Sequence, residues 1–201
     1  MEIQDYINIL DEDILKQNIQ FASLFILNFE CLKSYMVTQM QSFFGDGVSL
    51  KKDEDFRTPE YNEALKRFGG KNKNPLTAAV NWFKELGAIS EEDKQLFSQA
   101  RNKRNYITHE FGNALMQGFT NEDVDLFQKM VFLYMKIDKW WINEMEIPIS
   151  GEFDLLDYDS DGVIGGQAMM LSMINDVVLG RADAYKVLLE TFRNYSEMSI
   201  N

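Results

Sequence analysis

Apolar residues recur every three or four positions along nearly the whole chain, and no stretch alternates with period two, so the pattern predicts helices throughout. Over Asp11–Phe44 the stripe consists of Leu15, Ile19, Ala22, Phe25, Ile26, Phe29, Leu32, Tyr35, Met36 and Met40, and Gly45 and Gly47 stop it. After a polar loop, Pro59–Phe68 reads as a short helix with its proline in the tolerated first turn. Leu76–Leu86 reads as another, ended by Gly87 in the C-terminal cap position. Ser90 with Asp93 has capping-box spacing and opens a helix over Glu91–Leu115. The run Thr120–Asp123 opens the next, which reaches Glu146 and is expected to bury Val124, Phe127, Val131, Tyr134 and Ile137 before Pro148 and Gly151 end it. A final helical pair, Ala168–Leu179 and Asp183–Tyr195, is split by Gly180. The fold class expected is all-α, an up-and-down bundle of about four long helices plus short ones. Its organisation reads as a bundle over residues 1–147, an acidic loop over 148–167 and a C-terminal helical pair over 168–201 packing on the bundle.

Composition narrows the classes. With 201 residues, 45% of them hydrophobic and 13% aromatic, the chain has material for one well-packed core. Its only cysteine, Cys31, lies in an apolar run and has no partner for a disulfide or a structural zinc site, so it reads as a small core hydrophobe. The first residues are acidic rather than basic, and no apolar run reaches the roughly 18 residues that span a bilayer. The expectation is a soluble, cytoplasmic protein without membrane attachment. A net charge of −12 repels nucleic acid on average, and no helix-turn-helix with a basic recognition helix is visible. Direct DNA reading is not expected, and any work on RNA must fall to a local basic patch.

Asp157, Asp159 and Asp161, with Gly162 and Ile164, follow the spacing of a calcium-binding loop, but Ala168 stands where the bidentate glutamate belongs. They form a weak calcium candidate, with a solvated acidic linker as the favoured reading. Adjacent Trp140 and Trp141 point about 100° apart on a helix, so at most one faces the core well. Met169, Met170 and Met173 read as core filler at helical spacing.

The chain's single histidine, His109, closes the stretch from Arg101 to His109, which also carries Arg104 followed directly by Asn105. An arginine, an asparagine and, four residues after the arginine's neighbour, a histidine, late in a long helix of an all-helical chain, resemble the signature of the HEPN superfamily. The preceding run from Leu86 to Asn105 is similar too: a helix end, a capped start and then the arginine–asparagine step. The resemblance covers about residues 10–145 and is nearest to bacterial toxin and abortive-infection (AbiV-like) members. It implies a metal-independent endoribonuclease that leaves 2′,3′-cyclic phosphate ends and needs no cofactor. In that chemistry His109 acts as general base or acid on the ribose, Arg104 clamps the phosphate and Asn105 orients either group. Arg101 and Lys103 would bind the RNA, whether tRNA or mRNA.

On a regular helix Arg104 and His109 stand about 140° apart, so the resemblance implies a homodimer that completes the site across a cleft. A protein activator or antitoxin is the implied control. Phe111 stands where one toxin branch carries a modifiable tyrosine, which removes that route of regulation. A second resemblance, over Pro75–Phe97, is to the mannitol-operon repressor family and implies a non-catalytic regulatory or protein-interaction module. The nuclease reading needs Arg104 and His109 open in one cleft. The structural reading needs them buried and satisfied.

Overall fold

The computed structural model describes residues 3–45, 58–150, 158–186 and 189–190. Among them there is no strand, and the all-α bundle expected from the periodicity is what forms. The helices are α1 (Ile3–Leu10), α2 (Glu12–Phe44), α3 (Pro59–Phe68), α4 (Pro75–Glu85), α5 (Glu91–His109), α6 (Phe111–Gln117), α7 (Asn121–Trp141), α8 (Ile147–Ser150) and α9 (Gly166–Val178). A π turn over Ile142–Glu146 joins α7 to α8, and a 3₁₀ turn spans Ala182–Tyr185.

The hub is α2, about 50 Å long at 1.5 Å per residue, which packs against α1, α3 to α7 and α9. Its first turn is capped by the Asp11 carboxylate, which accepts from the Asp13 and Ile14 amides at 3.0 Å each. Phe25, Phe29, Leu32, Met36 and Met40 then run down one buried face. Around them the neighbours contribute aromatic rings: Phe97 of α5 lies 5.3 Å from Phe29, and Tyr134 of α7 meets Tyr35 edge-on at 5.2 Å. Capping boxes form at both predicted positions, Ser90–Asp93 and Thr120–Asp123. Gly87 and Gly180 take φ of 80°, the left-handed conformation that lets a chain leave a helix sharply.

Several elements differ from the periodic reading. The helix expected over Glu91–Leu115 breaks at Glu110, whose backbone leaves helical geometry. Its last part becomes α6 and turns to pack on α1. There Asn8 donates to the Met116 carbonyl at 2.8 Å, supplying a partner for a carbonyl that a helix end leaves open. Pro148 does not stop the fifth predicted helix; helical backbone continues through it, from α7 by way of the π turn into α8. Val124 is 39% exposed rather than buried, because the face of α7 turned inward carries Phe127, Met130, Tyr134 and Ile137. Met169 and Met170 are exposed rather than core filler, since α9 turns Ala168, Leu171 and Asn175 inward. Trp141 is buried and Trp140 half-buried, as the angle between adjacent helical residues requires. Of the predicted helix Asp183–Tyr195, the residues past 190 lie outside the described ones, and its start is the 3₁₀ turn.

The C-terminal α9 is held to the hub by an amide pair. Asn28 donates to Asn175 at 2.7 Å and Asn175 donates back at 2.9 Å, both side chains buried. Each amide thus satisfies the other where water is excluded.

Candidate functional site

Phe97, Ala100, Arg104 and Ile107 lie at intervals of three and four on α5, so they occupy one face, and that face packs on α2. Arg104 is its polar member. Its guanidinium is ion-paired to Glu30 of α2, donates to the Asn105 side-chain oxygen at 3.0 Å and lies 5.1 Å over the Phe29 ring. The Arg104 side chain keeps 18% of its surface exposed, and its Nε is buried without an acceptor.

His109, about 140° further around the helix, emerges at the last turn of α5. The imidazole is exposed and makes no hydrogen bond or ion pair to any described residue. Within one chain, then, the motif does not converge: Arg104 faces the bundle and His109 faces outward. Asn105 is half-buried and serves Arg104 rather than His109. Thr108 folds back onto the Arg104 carbonyl at 2.8 Å, which leaves its hydroxyl turned along the helix.

The two residues assigned to RNA also part company. Lys103 is tied to Asp123 at 2.6 Å and lies 5.5 Å from the Tyr106 and Phe119 rings, a half-buried clamp between α5 and the start of α7. Arg101 is exposed and edges a small cleft of about 130 Å³ between α4 and α5. Of the residues assigned to catalysis or RNA, Arg101 and His109 are therefore the ones open to a second molecule.

In the acidic loop, Asp157 lies outside the described residues. Asp159 accepts from the Asp161 amide at 3.0 Å, and Asp161 pairs with Lys139 at 3.2 Å. Among the described residues no group of three or more acidic, histidine or cysteine side chains is arranged to hold a metal ion. None of the described helices is long and apolar enough to cross a membrane.

The periodic reading missed a second concave site. A cavity of about 560 Å³ opens between α2, α7, the π turn and α9. Asp138 lines it, although only 2% of that residue is exposed. Its Oδ2 accepts from the Gly165 amide at 2.7 Å at the start of α9. A Cβ on residue 165 would fall 2.4 Å from Asp138 Oδ1, so the approach requires glycine. Burial, and then the Asp138 charge, push the Tyr35 hydroxyl well above the ordinary tyrosine range. Tyr134 is raised by burial and by Asp138 in the same way. Burial also raises the Cys31 thiol, with the neighbouring Glu30 charge adding to it. One sequence signal marks this site: Asp138 is an acid on the otherwise apolar inward face of α7.

No family model, characterised protein or solved structure matches this chain.

Proposed function

We propose that the protein is a latent, metal-independent endoribonuclease of the toxin or abortive-infection type, acting as a homodimer. The observation that carries this reading is the state of His109: the only imidazole of the chain stands exposed at the end of the motif helix, without a partner among the described residues. An exposed imidazole at the end of the helix that also carries the exposed Arg101 suits proton transfer at a ribose whose phosphate an arginine holds. The Arg104–Glu30 pair accounts for latency, since the phosphate clamp is occupied by a carboxylate of its own chain. A second copy, or an RNA phosphate, would have to draw the guanidinium away from Glu30. The about 140° between Arg104 and His109 is then spanned by pairing the arginine of one protomer with the histidine of the other. RNA is the substrate, and a protein activator or antitoxin supplies the control.

The test is cleavage of total RNA and tRNA in EDTA by the wild type, Glu30→Gln, Arg104→Ala and His109→Ala, with folding checked by circular dichroism. Cleavage by the wild type that rises in Glu30→Gln and is lost in folded His109→Ala supports the proposal. Intact RNA with the folded Glu30→Gln dimer removes it.

The same ion pair favours a second reading, a non-catalytic regulatory or interaction module. There Arg104 is a tether between α5 and α2, held by Glu30 and Phe29, and its work ends with packing. On this reading no variant cleaves RNA, Arg104→Ala and to a smaller degree Glu30→Gln lower stability, and His109→Ala leaves it unchanged.

A further inference from the structure

We propose that the cavity between α2, α7 and α9 binds a small organic ammonium ion through Asp138. This stands apart from the ribonuclease reading, because its lining residues on α2 include Leu27, Cys31 and Tyr35 whereas Arg104 reaches Glu30 and Phe29.

The first argument is charge. Asp138 is almost wholly buried, and among the described residues no lysine, arginine or histidine lines the cavity or pairs with it. A carboxylate has about four lone-pair positions, and here the Gly165 amide donates to it at 2.7 Å. A buried carboxylate held by one neutral donor is under-compensated and favours a cation from outside. Glu146, at the end of the π turn, adds a second acceptor to the lining, and its Oε1 is positioned by the Trp141 indole N–H at 3.0 Å. Inserted turns of this kind redirect side chains and are frequent at functional sites.

The second argument is shape. Ile142, Met170, Leu171 and Ile174 supply apolar wall, and the Tyr35–Tyr134 pair supplies aromatic surface. A bare metal ion would leave that wall unused, whereas an ammonium group on a hydrocarbon or aryl body meets both halves. Aromatic surface beside a carboxylate is also suited to a cation. The volume lies within the range of small-molecule sites.

The experiment compares three probes of matched size at pH 7: phenethylammonium, 2-phenylethanol and phenylacetate, by calorimetry on the full chain. Phenethylammonium is expected to bind at least about tenfold more tightly than the other two, the effect of one favourable charge contact. Asp138→Asn keeps an oxygen for the Gly165 amide while removing the charge, and is expected to abolish the preference. Should that variant fail to fold, Glu146→Gln is expected to reduce the preference severalfold. Cys31, the only cysteine and part of the lining, gives a readout free of any one ligand. A trimethylammonium methanethiosulfonate should label it faster than the sulfonate analogue, and phenethylammonium should slow that labelling. Equal binding of the three probes, no binding of phenethylammonium, or equal labelling rates would overturn the proposal and leave Asp138 as a cap for α9.

Discussion

Arg104 of α5 grips Glu30 of α2 while His109, on the same helix, is left exposed and, among the described residues, without a partner. The ion pair joins two helices and occupies a group that the ribonuclease reading assigns to a phosphate. Glu30→Gln keeps an acceptor and removes the charge. Because a half-exposed pair is worth up to ~1 kcal/mol, RNA cleavage is expected to rise by up to about fivefold in this variant. Initial rates on tRNA in EDTA check it; an unchanged rate would show that the pair does not restrain the site.

The two ends of the motif should respond differently to truncation. Ile107 is fully buried in the core, so Ile107→Ala should cost about 2–4 kcal/mol in urea unfolding. His109→Ala should stay within about 0.5 kcal/mol of the wild type, as a surface change without partners does. A large loss in His109→Ala would show a structural role for the imidazole.

The Ser90–Asp93 box gives a pH signature. Burial works to raise the Asp93 carboxyl, but Lys136 and the Ser90 amide together outweigh it and hold the group below its ordinary range. A depressed folded value means stabilisation that is present above the unfolded carboxyl range, near ~3.9, and lost as pH falls through the lower folded value. Asp93→Asn should therefore be destabilised by about 1 kcal/mol at pH 7, and the gap to the wild type should close in strong acid. Paired urea titrations at several pH values measure it.

Asn28 and Asn175 exchange two hydrogen bonds in a buried setting, so Asn175→Ala orphans an amide and should cost about 1–3 kcal/mol. The double change to leucine removes both polar groups and should cost less than the sum of the two single changes. A double-mutant cycle reads the coupling, and additivity would contradict a mutual role.

Much of this was legible in the sequence, and the failures have physical causes. Caps were readable because Ser90 and Thr120 act locally, on the amides of Asp93 and Asp123. The short α1 was missed because it is held by Asn8 reaching the carbonyl of Met116, a contact more than a hundred residues away that no periodicity records. The facing of α9 depends likewise on Asn175 and on the Gly165–Asp138 contact, which turned Met169 and Met170 outward. Arg104 is the instructive case. Its place on the stripe with Phe97, Ala100 and Ile107 was available from spacing alone and points it at the core, while the motif drew attention to its distance from His109. What spacing does not supply is the identity of its partner, Glu30, on a different helix.

The most direct test of a shared site is complementation between chains. Arg104→Ala and His109→Ala are each inactive on this account, but mixing them after co-refolding yields dimers in which one site keeps both an intact arginine and an intact histidine. The predicted result is metal-independent RNA cleavage by the mixture, approaching one quarter of the wild-type rate for random pairing with one site in half the dimers. An inactive mixture of folded chains, beside an active wild type, would contradict a site completed across two protomers.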